Sequence, residues 1–116
     1  MIDRRWGRIL LFGGTNTDTV RGFTSTAAYS AAKTALGVIA KSVAKAAGAY
    51  GVTCNVVCPG LTDTEYTTGE LLKYNREKSP GGRPLNPNQV AKAALAVISN
   101  PSINGAILTV DDGLSL

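Results

Sequence analysis

Arg8-Ile9-Leu10-Leu11-Phe12-Gly13-Gly14 decides the fold. Four large apolar residues in succession leave no polar face, so the run fits a short parallel strand covered on both sides and stopped by the glycine pair. A second run, Val52 to Cys58, is β-branched and apolar, and Pro59 and Gly60 cut it off. A third, Gly105 to Val110, ends at Asp111, Asp112 and Gly113, which turn the chain out.

The segments between these strands read as helices and loops. Thr15 to Phe23 is polar and predicts a loop, and Thr24, Ser25 and Thr26 offer hydroxyls to cap a helix starting there. From about Thr26 to Gly48 the chain is Ala-rich, with Leu36, Val38, Ile39 and Val43, a composition of high helix propensity. Ala28, Ala31, Ala32 and Ala35 give this helix little bulk on part of its surface, so another helix or a ligand could come close. Gly48 and Gly51 supply the stop and the turn. Thr64 to Lys78 reads as a mobile helical segment and Ser79 to Pro84 as a loop, and neither predicts a core. Asn86 followed by Pro87 pairs a cap with a first-turn proline. It opens a helix with Val90, Ala91, Ala94, Leu95, Val97 and Ile98 at helical spacing, which Asn100 and Pro101 end.

Strand, helix, strand, helix, strand with right-handed crossovers predicts an α/β domain over residues 1–116. It is a partial Rossmann-type doubly wound fold, a three-stranded parallel sheet with flanking helices. At least one sheet edge is left wanting a partner.

Composition narrows the function. A chain of 116 residues, 44% hydrophobic and 17% charged, suits one folded domain. It buries a modest fraction of its surface, which favours a homodimer or higher homo-oligomer. The net charge of +4 is scattered, with only Arg4, Arg5 and Arg8 clustered, so no nucleic-acid partner is expected. No apolar run reaches membrane-spanning length, and the amino terminus lacks a signal pattern; a cytoplasmic protein with no membrane partner is expected. The absence of His removes the usual general base and the commonest metal ligand, so no metal site is expected. Cys54 and Cys58 sit about 13 Å apart on one strand face. A disulfide needs Cα atoms within about 7 Å, so both are read as reduced core residues.

Tyr29 and Lys33 are four apart on the long helix and share a face. An ammonium beside a phenol favours the phenolate, which suits Tyr29 to exchange a proton with a substrate oxygen. The pair stands in a longer ordered set. Gly7-Arg8-Ile9 leads into the first strand and its glycine pair, then come Tyr29-Ser30-Ala31-Ala32-Lys33, Asn55 to Gly60 and Val110 to Gly113. In this order the motifs resemble the short-chain dehydrogenase/reductase family over essentially the whole chain, and look most like its 3-oxoacyl-[acyl-carrier-protein] reductases.

The resemblance implies an NAD(P)-dependent oxidoreductase moving a hydride between a nicotinamide and a small carbonyl or alcohol, with NADP ahead of NAD. Tyr29 matches the family's proton donor, and Lys33 the lysine that binds the nicotinamide ribose. Pro59, Gly60 and Thr62 match the loop that holds the nicotinamide carboxamide, and Thr64 a cofactor-contacting threonine. Ligands beyond the carboxyl ends of parallel strands are the general rule for such sheets. The family's catalytic serine aligns with Gly14; Thr15 is the nearest hydroxyl and the candidate replacement, with Ser25 behind it. A missing oxyanion donor costs about 3 kcal/mol of barrier. The chain begins where the family's fifth strand begins, so the resemblance leaves the dinucleotide-binding half of the fold unmatched and predicts weak activity, or none, for these residues alone. Two alternatives differ in class. One is a noncatalytic half-fold that oligomerises through its strand edge or Ala-rich helix; the other is a cofactor-independent hydrolase or lyase reusing Tyr29 and Lys33.

Overall fold

A computed structural model describes residues 1–116. Strand β1 (Gly7–Phe12) is followed by helix α1 (Ala27–Ala47) and a 3-10 turn at Gly48–Tyr50. Then come β2 (Val52–Pro59), α2 (Gly69–Lys78), α3 (Pro87–Ser99) and β3 (Ile107–Val110). The three strands form one parallel sheet in the order β1-β2-β3, with Ile9 beside Cys54 and Val57 beside Leu108.

Alternation along β2 divides the interior in two. Cys54, Val56 and Cys58 join Ala40 of α1 in the core, with Ile9, Leu11, Leu36, Val43 and Ile107 packed around them. Arg8, one residue out of phase with Ile9, donates from Nε to the Ile98 carbonyl at 3.1 Å, which places α3 on the opposite face. Asn55 also points there and is 1% exposed. Its Nδ2 donates to Ile103 O and its Oδ1 accepts from Ala106 N–H, both at 2.9 Å, tying the approach to β3 onto β2.

β2 is buried from Val52 to Cys58, as its largely apolar run predicts, but β1 is not. Its residues Arg8 to Leu11 are half-buried, and Phe12 is exposed. β1 lies at the sheet's edge, so its run has a neighbour on one side only. Only 22 of 116 residues are buried, and the long axis reaches 48 Å. Its radius of gyration of 15.3 Å exceeds the roughly 13 Å expected for a compact domain of this length, so the sheet is incompletely wrapped.

Other boundaries shift for local reasons. Thr26 is the residue before α1, yet its hydroxyl caps no backbone N–H; it lies 3.2 Å from Ser30 Oγ instead. Gly48 ends α1 as expected, keeping helical angles into the 3-10 turn, and Gly51, with φ at 71°, makes the turn. Adding a Cβ to Gly51 would also drive it to 2.4 Å from Arg5 O. α3 begins as expected, with Asn86 and Gln89 completing a reciprocal capping box. β3 starts two residues late, at Ile107, after Gly105 takes a φ of 75°.

The stretch from Thr64 to Pro84 contributes more to the interior than its polarity predicts. Helix forms only from Gly69, capped by Thr68 accepting from Leu71 N–H. Asn75, Ser79 and, just beyond, Leu85 are buried. The neck of the stretch is closed by a parallel bridge between Thr62 and Leu85, and Ser79 Oγ donates to Asp112 O at 3.0 Å.

Candidate functional site

The first turn of α1 stands over the carboxyl ends of β1 and β2. Tyr29, in that turn, is 56% exposed, with its hydroxyl directed at the backbone just past β1. An ideal Cβ built on Gly14 would lie 3.0 Å from Tyr29 Oη and 3.3 Å from its Cε1. Gly14 therefore occupies the position whose side chain would face the phenol, and it has none.

Lys33 follows Tyr29 by one turn, and its Nζ lies 5.9 Å from the centre of the tyrosine ring. The ammonium donates to Phe12 O at 2.8 Å. One of its three protons is thus used on backbone, and two remain for a ligand. Phenol and ammonium are brought together as the four-residue spacing predicts.

The loop after β1 is tightly built. Thr17, 2% exposed, accepts Gly14 N–H at 2.8 Å and donates its hydroxyl to Gly14 O at 2.9 Å. Asn16 takes a φ of 59° to close the turn, a conformation asparagine tolerates well. Below the loop, Cys58 Sγ is 3.8 Å from Thr17 Oγ1 and would meet a Cβ on Gly13 at 2.5 Å. Burial pushes the Cys58 thiol pKa up, and the Asp18 carboxylate adds a smaller push against the Thr17 hydrogen bond. Neither cysteine forms a disulfide.

Thr15 and the loop after β2 meet. Thr15 Oγ1 donates to Pro59 O at a long 3.4 Å, so its hydroxyl sits between the ends of β1 and β2 rather than on Gly14's side-chain position. Gly60 must be glycine, because a Cβ there would lie 2.6 Å from Asp111 Cβ; its N–H donates to Val110 O at 2.9 Å. Thr62 Oγ1 donates back to Gly60 O at 3.1 Å. Thr64 is exposed, and its hydroxyl lies 3.4 Å from that of Thr67, making a local turn. Ser25 is exposed in the loop before α1.

Two residues that matter here carry little signal in the sequence. Thr17 lies in a polar loop, and its only mark is a hydroxyl three residues after a glycine, the spacing of a local side-chain-closed turn. Asn55 is marked by an amide inside an otherwise apolar strand. The small-residue face of α1 is exposed, as its composition suggests, and borders an apolar cleft of about 580 Å³ facing Val20 to Phe23. That cleft contains neither Tyr29 nor Lys33. No cluster of residues suited to hold a metal ion is present, and no helix is long and apolar enough to cross a membrane.

The comparisons with known proteins agree on one lineage. The sequence model of the family described as Enoyl-(Acyl carrier protein) reductase matches residues 2–115. Carbonyl reductase family member 4 of Danio rerio is 37% identical over 97 residues, covering 84% of this chain and 41% of that protein. The 3-oxoacyl-[acyl-carrier-protein] reductase of Aquifex aeolicus is 34% identical over 122 residues, covering 98% of this chain and 47% of that one. A solved short-chain dehydrogenase/reductase from Serratia marcescens superposes with a TM-score of 0.84 at 31% identity, covering 94% of this chain and 46% of the other. The chain thus spans less than half the length of these relatives. With its parallel sheet, its Tyr29 and Lys33 on one helix face and this sequence match from end to end, the chain belongs to the short-chain dehydrogenase/reductase family.

Proposed function

We propose that these residues form the substrate and nicotinamide side of an NAD(P)-dependent oxidoreductase acting on a small carbonyl or alcohol. The observation that carries the reading is the Tyr29 hydroxyl at the carboxyl ends of β1 and β2 with the Lys33 ammonium one helical turn behind it. The matched relatives favour this over a noncatalytic module or a cofactor-free hydrolase.

The residues present suit one end of a dinucleotide. Leu61 and Thr62 lie just past β2 with backbone N–H groups that donate to no backbone acceptor and are open to a carboxamide oxygen. Lys33 has two protons free for ribose hydroxyls, and Pro59 and Gly60 set the loop's approach. A diphosphate is not served by the glycine pair: Gly13 N–H donates to Val57 O and Gly14 N–H to Thr17 Oγ1. Neither of these N–H groups is free for a phosphate, and NADP stands ahead of NAD by resemblance to the carrier-protein reductases.

The bound nicotinamide would supply or accept the hydride at the substrate carbon. In the reducing direction, Tyr29 Oη gives its proton to the carbonyl oxygen. Lys33, held by Phe12 O, places positive charge beside the tyrosinate that remains. Thr15 is the hydroxyl closest in sequence to the gap at Gly14, and it reaches the substrate oxygen only by leaving Pro59 O. A homodimer through the exposed small face of α1 accords with the incomplete wrapping of the sheet.

Calorimetry with NADH and NADPH, beside light scattering and turnover of a soluble 3-oxo ester, tests the reading. Weak dinucleotide binding and weak turnover that Tyr29→Phe abolishes are expected. Turnover unaffected by Tyr29→Phe refutes the assignment.

A further inference from the structure

We infer that Thr17 is the positioning residue for Tyr29, an inference that rests on the reductase reading for its catalytic meaning though not for its geometry. The hydroxyl of Thr17 makes both hydrogen bonds that a single hydroxyl can make to one glycine. It accepts Gly14 N–H at 2.8 Å and donates to Gly14 O at 2.9 Å. Thr17 N–H adds a third bond to the same carbonyl at 3.2 Å. Thr17 is 2% exposed, and Cys58 Sγ lies 3.8 Å from its hydroxyl, so this clasp has the buried face of β2 as its floor.

Above the clasp is the phenol. The three nearest atoms to a Cβ on Gly14 all belong to Tyr29: Oη, Cε1 and Cζ. Tyr29 is otherwise more than half exposed, so the open side-chain position of Gly14 is the protein surface its oxygen faces. On the other side, a Cβ added to Gly13 would meet Cys58 Sγ, Thr17 Oγ1 and Val56 Cγ1, so there too the backbone has no room for a side chain. The stack runs from Val56 and Cys58 through Thr17 and Gly14 to the Tyr29 oxygen. Thr17 is the one member that ties the two halves by directed bonds. It also consumes the Gly14 N–H, so that donor is closed to a substrate oxygen, which leaves the phenol as the polar group at this point.

Thr17→Val keeps the buried shape and removes both hydroxyl bonds; Thr17→Ser keeps the bonds and loses a methyl. The first readout needs no turnover: the NMR nuclear Overhauser contact between the Tyr29 ring ε protons and the Gly14 α protons. It is expected to be present in the wild type and in Thr17→Ser, and lost in Thr17→Val. Should Thr17→Val not fold, Thr17→Ala is read in the same way. With a 3-oxo ester and NADPH, Thr17→Val is expected to lower kcat about tenfold with KM within about twofold, and Thr17→Ser to restore it. A retained contact and an unchanged kcat in Thr17→Val, with Tyr29→Phe inactive, overturn the role of Thr17 alone. An unchanged rate in Tyr29→Phe overturns the reductase reading and leaves the NMR contact to decide the geometry.

Discussion

Gly14→Ser, compared with Gly14→Ala, tests whether a hydroxyl facing Tyr29 adds to the proposed reduction. Both variants place a Cβ 3.0 Å from Tyr29 Oη, closer than an ordinary contact, so the ring must yield by a few tenths of an ångström. Tyr29 is 56% exposed and free to yield. Gly14 is not among the residues with positive φ, so a side chain there does not strain the backbone and should stabilise the fold by about 0.4–1 kcal/mol through the unfolded state. Alanine then only displaces the phenol, and kcat should fall. Serine displaces it equally but adds an Oγ beside the oxygen that Tyr29 serves. A well-placed oxyanion donor contributes about 10²–10³ in kcat. A displacement approaching 1 Å can cost about 10². The ring moves by less than that, so the serine variant should exceed the alanine variant by at least about tenfold in NADPH-dependent reduction of a 3-oxo ester. A serine variant no faster than the alanine variant, with both folded, refutes the reasoning that a hydroxyl at position 14 adds to the reduction.

Three further outcomes come from the fold. Burial raises the thiol pKa of Cys54 and Cys58 above 9.0, so as pH climbs the unfolded thiols ionise first. Their stabilising contribution is whole below pH 9.0 and is lost as pH rises through the higher folded values. Urea midpoints should drop more steeply between about pH 8 and about pH 10 in the wild type than in Cys54→Ala, and equal slopes would count against the assignment. Asn55→Ala strands the Ile103 carbonyl and the Ala106 N–H beneath α3 and should cost about 2–4 kcal/mol in denaturant unfolding, with a loss below about 1 kcal/mol contradicting it. Asn86→Ala removes the capping box of α3 and should cost about 1 kcal/mol, visible as a lower thermal midpoint with the far-UV spectrum kept.

What the residues announce in advance is whatever depends on near neighbours in the chain. Asn86 and Pro87 start α3 because cap and proline act within one turn, and the apolar run of β2 is buried because strands flank it on both sides. The same kind of run in β1 misleads. Its composition describes a strand meant for the middle of a sheet, and nothing in Arg8 to Phe12 says whether a second neighbour is present. Thr26 shows another limit, since a hydroxyl before a helix chooses between a backbone N–H and Ser30 by geometry that spacing does not contain. Tyr29 and Lys33 are legible because i and i+4 share a face in any helix. Thr17 is not, because its importance lies in meeting Cys58, 41 residues away, and in closing on Gly14 beneath Tyr29. Asn75 and Leu85 are buried for the same kind of reason: the stretch from Thr62 to Leu85 is closed at its neck by a bridge that no local pattern signals.

The position of Lys33 bears on whether the site depends on the unpaired edge of β1. Gly7 N–H donates to Gly51 O and Gly13 N–H to Val57 O, so the odd-numbered residues of β1 direct their backbone groups at β2. By the alternation of a parallel ladder, Arg8, Leu10 and Phe12 direct theirs at the free edge. Lys33 thus holds an edge carbonyl, the one a strand lying against β1 would also use. A carbonyl oxygen has two lone pairs, so Phe12 O can keep the ammonium and accept a strand N–H as well. The core beneath α1 comes chiefly from β2, through Ala40, Cys54, Val56 and Cys58, and the Gly14 clasp is anchored on Cys58. A strand laid against the free edge of β1 therefore leaves the contacts of Tyr29, Lys33 and Gly14 in place. The spacing of Tyr29, Lys33 and Gly14 should be the same in this chain alone as in a longer polypeptide that contains it.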